Sequence, residues 1–499
     1  MTYQIIPPVT GKPVTGKPIS AKPVAARPPR PQGPPAANGT RVIPQAVKGK
    51  FRTLKWRLLV LCLAVYYVLP FLRWGRGAGQ PDQAVLFDLA NLRFYVFFIE
   101  IRAQELYYLT GLLVLATLIL VLMNALAGRV WCGFFCPQTI WTDLFLLVER
   151  KFEGGRRQQM QALKQPLTLS KLLRKTAKHV VWLGIAAATG GAFVLYFADA
   201  PALLRSLAAG DAPLLAYSMV LTLTFTTYAL AGLAREKVCT FMCPWPRLQG
   251  AIWDAQALTV NYRPQRGEPR MSAKKAVTAR EMGLPAGDCV DCNACVAVCP
   301  MGIDIRQGPS IACINCGLCV DACDSTMFRL DRLRGLIDYE SWTNIEREMQ
   351  GQTRQPVRLL RPKVLAIALA ALALAAGMAI HLSGRATLAL AVIHERTPAA
   401  VQLSDGQIRN AYELRITNTT GEAALIRLSA TGTAPLTLAS PGLEPDEDGS
   451  LAVDLAADGS RKLRVTLTGS RKLAGDIRFT LQNAANGGEA ATQSRFFLP

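Results

Sequence analysis

The chain has 499 residues, with 56 Lys and Arg against 35 Asp and Glu, a formal net charge of +21, and 51% apolar residues. That length suggests three or four folding units of roughly 150 residues each. The apolar residues gather into long uncharged runs, which excludes a single soluble domain. It also assigns the positive charge to the loops of a membrane protein, so no nucleic-acid partner is expected.

In chain order, residues 1–50 are rich in Pro, Gly and Lys, repeat TGKP, and lack the apolar stretch of a cleavable leader. They are expected to form a disordered basic arm. A transmembrane four-helix region is expected over residues 51–263. Leu58 to Leu72 is a short apolar run bracketed by Trp56 and Trp74, and is expected to cross a membrane. Ala84 to Ile101 is apolar but broken by Asp88, Arg93 and Glu100, and is expected as an amphipathic segment on the membrane surface. Leu106 to Gly128, His179 to Ala198 and Ala212 to Ala234 each approach the 20 or so apolar residues that a bilayer requires. A fifth crossing, Val364 to Leu382, falls within a segment placed at 363–383.

Cysteines follow two of the returning helices. RVWCGFFCP carries Cys132 and Cys136, and KVCTFMCP carries Cys239 and Cys243. Both fit C-x-F-x-C-P, each preceded by a basic residue (Arg129, Lys237), so the helical region contains a duplication. An i, i+4 helical step would put both thiols of a pair on one face, and nearby cations would favour the thiolate. Soft thiolates select Cu(I), zinc or iron–sulfur. Spacing alone leaves metal binding, dithiol chemistry and a further cluster open, as it does a merely buried role for a small apolar residue.

Residues 264–362 hold C-x2-C-x2-C-x3-C-P at Cys289, Cys292, Cys295 and Cys299, and the same cysteine spacing again at Cys313, Cys316, Cys319 and Cys323. Bacterial two-cluster ferredoxins use this run, in which the fourth cysteine ligates the other cluster. One [4Fe-4S] cluster is then expected on Cys289, Cys292, Cys295 and Cys323, and a second on Cys313, Cys316, Cys319 and Cys299. Zinc sites place two pairs a dozen or more residues apart, which this compact run does not. Asp324 replaces the second proline, which is not a ligand. None of the 13 cysteines lies beyond Cys323, the reverse of a secreted disulfide scaffold.

Residues 384–499 alternate apolar and polar positions in ELRITN, IRLSATG, LRVTLTG and DIRFTLQN, as the short strands of an immunoglobulin-like sandwich do. The three histidines, His179, His381 and His394, are too dispersed for a transmembrane haem. His381 and His394 leave open a weak copper contact. No glycine fingerprint for a flavin or nicotinamide is present.

The first 57 residues carry eleven Lys or Arg and no acid, and Arg129 to Lys178 carries ten more. The positive-inside rule therefore places the N-terminus and the cluster module in the cytoplasm, and five crossings leave the C-terminal domain outside. The fold class expected is a multi-domain inner-membrane protein: a bundle of about five helices, a cytosolic two-cluster ferredoxin module and a periplasmic β-sandwich.

With its duplicated C-x-F-x-C-P pairs, its ferredoxin runs and a tail domain opening near NAYELRITN (Asn410 to Asn418), the sequence resembles the cytochrome c oxidase accessory family of the CcoG, FixG and RdxA type over residues 50–499. The resemblance implies a role in assembling cbb-type oxidase, with reduction of Cu(II) to Cu(I) at the Cys132, Cys136, Cys239 and Cys243 thiols. It also implies a cytosolic electron donor, and a copper chaperone or transporter and oxidase assembly factors as partners. Two alternatives stand beside it: a quinol-linked carrier of the nitrate and nitrous oxide reduction type, and a non-catalytic assembly scaffold.

Overall fold

The structure, a computed structural model, describes residues 41–499 apart from 77–79, 103–104, 385–387, 396, 420–421, 457–458 and 486; the arm over 1–40 lies outside the described residues. Among the described residues, five helices are long and apolar enough to cross a membrane: Lys50–Phe71, Tyr107–Ala127, Leu169–Val194, Leu214–Ala234 and Pro362–Ser383. The first is longer than its apolar run because Arg52 and Lys55 are buried at its start against the carboxylate of Asp143. The third begins at Leu169, where Lys171, Arg174, Lys175 and Lys178 extend the helix beyond its apolar part.

The chain divides into two compact units. Of the described residues, one comprises 41–63, Leu120–Thr189 and Thr222–Val364; the other comprises Ala64–Ile119, Gly190–Leu221 and Leu365–Pro499.

In the second unit, residues 84–101 depart from expectation. They form an antiparallel meander of β1 (Val85–Asp88), β2 (Arg93–Val96) and β3 (Ile99–Arg102), with Val85 opposite Val96 and Phe94 opposite Ile101, where the sequence shows no strand period. Aromatic and β-branched residues dominate these strands, as suits a half-buried sheet, and the Asp88 carboxylate closes the first turn by accepting from Asn91.

In the first unit, the strands β4 (Leu258–Tyr262) and β5 (Ile337–Ser341) pair antiparallel. The helices Ala294–Val298 and Leu318–Arg329 pack with them around Val260, Ile305, Val320, Met327, Leu336 and Ile337.

The C-terminal domain is two antiparallel sheets. Its strands are β6 (Leu388–His394), β7 (Val401–Gln402), β8 (Ile408–Asn418), β9 (Ala424–Thr431), β10 (Leu436–Ala439), β11 (Leu451–Leu455), β12 (Ser460–Gly469), β13 (Gly475–Asn483) and β14 (Glu489–Phe496). One sheet runs β10-β12-β8-β6 with β7 also on β8; the other runs β11-β9-β13-β14. Along β8 every second residue is buried, the period a two-layer sandwich demands. Tyr412 and Phe479 meet edge to face at 5.2 Å in the core. The buried Asn410 side chain secures the C-terminal strand by bonding both the N–H and the C=O of Phe497. His394 lies 3.0 Å from Asn410 Oδ1 and His381 2.5 Å from the Tyr108 hydroxyl, so each histidine has its own local partner.

Residues 41–49 are extended: Gln45 N–H donates to Ala297 O at 2.8 Å, Ile43 is buried, and Val47 packs against the cluster that holds Val298, Met301, Ile314 and Cys316.

Candidate iron–sulfur and thiol site

The two cysteine runs adopt the same backbone path. In the first, Asp291 and Asn293 have positive φ (52° and 56°); in the second, the equivalent Asn315 and Gly317 do (50° and 72°). Asp, Asn and Gly are the residues that visit this region at least cost. In each loop the left-handed residues flank the second cysteine, and the later one is the N-cap of a helix. Each run therefore curls around a point and then turns helical, which carries its last cysteine away from the first three.

Two cavities result. One is lined by Cys289, Cys292, Cys295 and Cys323; the other is lined by Cys295, Cys299, Cys313, Cys316 and Cys319. Cys295 therefore borders both cavities, and the other seven cysteines divide three and four between them. Burial pushes the thiols up, Cys295 and Cys313 to about 11 and Cys299 and Cys323 to about 12. A cationic centre is needed to hold them as thiolates, and its binding releases protons. Cysteines lining an enclosed space from several sides fit a multi-iron cluster.

The C-x-F-x-C-P pairs are built alike. Cys132 sits in the short helix Val130–Phe134, Cys136 is extended (ψ 127°), and Pro137 opens the helix Pro137–Glu153. Cys239 sits in the π-helical turn Val238–Met242, Cys243 is extended (ψ 125°), and the helix Trp245–Ala251 follows Pro244. The expected continuous i, i+4 helical face is therefore interrupted, because proline at a helix start forces the preceding residue out of the α region.

The four thiols lie within electrostatic reach of one another. Burial, then the neighbouring Cys136, pushes Cys132 and Cys239 up to about 12. This corrects the expectation that nearby cations would favour thiolates: desolvation wins. Lys237 is exposed, whereas Arg129 is buried and acts on both pairs and on Cys313. Arg129 is fixed by donating to the carbonyls of Ile311 and Pro246.

The first thiol pair abuts the second cysteine loop directly. A Cβ on Gly133 would stand 2.5 Å from Ile314 O and 3.1 Å from the Cys316 Cα. Asn315 Nδ2 donates to Ala127 O, at the end of a spanning helix. The start of the first spanning helix is tied to the same module. Its Phe51 and Arg52 N–H groups donate to the Asp321 carboxylate at 3.2 and 2.8 Å. Phe51 also covers Gly317 and packs on Tyr339 at 5.0 Å between ring centroids.

Comparison with known proteins decides the family. The nitrogen fixation protein FixG of Rhizobium meliloti is 44% identical over 439 residues, which is 83% of each chain. Protein RdxA of Cereibacter sphaeroides is 46% identical over 83% of this chain and 86% of its own, and RdxB of the same organism is 47% identical over 80% and 84%.

The chain belongs to the FixG family.

Three family models match parts of the chain: a 4Fe-4S dicluster domain over residues 234–342, a 4Fe-4S binding domain over 109–154, and the Ig-like fold at the C-terminal of FixG over 378–499. This FixG-type protein is thus a membrane iron–sulfur protein with an Ig-like domain, and the residues lining both cavities fit that cofactor class. The 109–154 match spans Cys132 and Cys136, so the thiol turn itself belongs to an iron–sulfur family model. Sequence reasoning missed Asp321, Gly133, Asn315 and Gln249, whose Oε1 lies 3.9 Å from the Cys132 sulfur. Only the positive-φ residue types at Asn315 and Gly317 gave a signal.

Proposed function

We propose that this protein is a one-electron carrier that reduces Cu(II) to Cu(I) at its C-x-F-x-C-P thiols during assembly of a cbb-type cytochrome c oxidase. In this reading Cys289, Cys292, Cys295 and Cys323 hold one [4Fe-4S] cluster, and Cys299, Cys313, Cys316 and Cys319 hold the other. Those groups, when bound, supply single-electron transfer. The N-terminus and residues 264–362 face the cytoplasm, with a cytosolic donor, and residues 384–499 face the periplasm. The basic loops support that orientation.

The observation that carries the proposal is the Gly133 contact: the Cys132–Cys136 turn rests on the Ile314–Cys316 backbone, part of the loop that lines the second cavity. One electron converts Cu(II) to Cu(I), and no other bond need change. Thiolates favour Cu(I), and thiolates drawn from both pairs hold it in this reading until it leaves for a chaperone or the oxidase. Copper displaces the protons that burial retains on Cys132 and Cys239. The buried guanidinium of Arg129 balances the extra negative charge of the reduced thiolate complex, and so favours the Cu(I) state.

Cys132→Ser and Cys239→Ser are expected to abolish Cu(II) reduction by the dithionite-reduced protein while iron content stays at the wild-type value. Undiminished copper reduction in both variants would overturn the proposal.

A further inference from the structure

Of the thirteen cysteines, Cys292 is the one exposed to solvent. Its sulfur lies 3.9 Å from Thr326 Oγ1, on the helix Leu318–Arg329. That helix presents Phe328, 68% exposed, and the turn beyond it presents Leu333, 81% exposed. Large apolar side chains this bare, close in sequence, on and just beyond the helix that carries Thr326, mark a candidate contact surface.

The rim around them is cationic. Arg329 reaches Thr326 Oγ1 at 3.5 Å, the Arg334 guanidinium lies 5.0 Å over the Phe328 ring, and Arg332 donates to Asp288 O at 2.6 Å. Among the described residues no ion pair holds any of these three arginines. The carboxylates nearby are mostly engaged: Asp288 pairs with Arg266 and Arg280, Asp291 with Arg306, and Asp324 accepts the Gly335 N–H. Asp331 is exposed and Asp338 has its carboxylate beside Gly335, and each subtracts one charge.

An apolar centre ringed by arginines, at the one cysteine open to solvent, matches the anatomy of a transient protein interface. We propose that this face docks an acidic one-electron carrier protein, which delivers its electron at the Cys292 edge. The proposal rests on the electron-transfer reading above and names the class of donor. One electron leaves the reduced carrier and enters the protein, and no bond forms or breaks. Unpaired arginines would steer the acidic partner at long range, and Phe328 and Leu333 would hold it on contact.

The test uses the full-length, detergent-solubilised chain and an acidic flavodoxin as probe, with binding measured by calorimetry on the oxidised proteins. Arg329→Glu with Arg334→Glu is expected to weaken binding about tenfold or more at roughly 20 mM salt, with the difference closing at roughly 300 mM. Phe328→Ala is expected to weaken binding about fivefold at both salt concentrations. Wild-type affinity in both variants would overturn the proposal. So would loss of attachment to anionic-lipid vesicles in the arginine variant with flavodoxin binding intact, which would make the face a lipid contact. Iron content and the visible spectrum of the variants are read in parallel. An iron-free wild-type protein would defeat the electron-transfer reading itself, whereas normal iron with unaltered binding would defeat the docking surface alone.

Discussion

Replacing Gly133 with Ala tests the junction between the thiol turn and the second cysteine loop. The added methyl would meet Ile314 O at 2.5 Å, about 0.5 Å inside the closest approach that Cβ atoms make, and the Cys316 Cα at 3.1 Å. The first neighbour is backbone, and the loop carrying it also carries Cys313 and Cys316, so neither side can yield by rotating a side chain. Overpacking of this kind costs about 1–3 kcal/mol, which shifts the equilibrium between docked and opened arrangements by roughly 5- to 150-fold. Opening would uncover Cys132. The expected result is faster alkylation of Cys132 by a maleimide, within that range, read by mass spectrometry when opening and closing are fast. A helical glycine whose Cβ would meet nothing, Gly184, gives the control, and Gly184→Ala should leave the rate unchanged. Wild-type alkylation in Gly133→Ala would refute the packing of the turn on the loop.

Three further outcomes are expected. Asp321→Ala removes the carboxylate that caps the first spanning helix, and should cost about 0.5–2 kcal/mol, as cap removal does, seen as a lower thermal midpoint with unchanged iron content. Asp143→Ala strands Arg52 and Lys55 in a buried site. Burial alone would raise the Asp143 carboxyl, but Lys55 and Arg52 outweigh it and hold it below its usual value; removing such a partner costs about 3–5 kcal/mol, so the yield of folded protein should fall sharply. Cys323→Ser should disturb the cavity that holds Cys289, Cys292 and Cys295, not the one that holds Cys319, its nearer neighbour in sequence. Low-temperature EPR of the variant should therefore retain the signal that Cys316→Ser removes.

The sequence made the two cysteine-lined curls legible because ligand spacing is local: each run brings its cysteines onto one curl and the short helix that follows. The β8 alternation was legible for the same reason. What escaped were contacts between distant parts of the chain. Nothing near Gly133 announces Ile314, and nothing near Asp321 announces Phe51. The meander over 84–101 escaped because its strands are four residues each, too short to show a period, and its charges resembled those of an interfacial segment. The role given to Lys237 belongs to Arg129, because burial, not nearness in sequence, decides which cation acts on a thiol.

The account rests on two interleaved four-cysteine sites side by side in one module. Iron and sulfide analysis of anaerobically purified full-length protein, joined to EPR of its reduced form, tests this most directly. The expected result is about eight irons per chain, in two magnetically interacting four-iron centres. A protein without iron, or one in which zinc occupies these cysteines stoichiometrically, would contradict it.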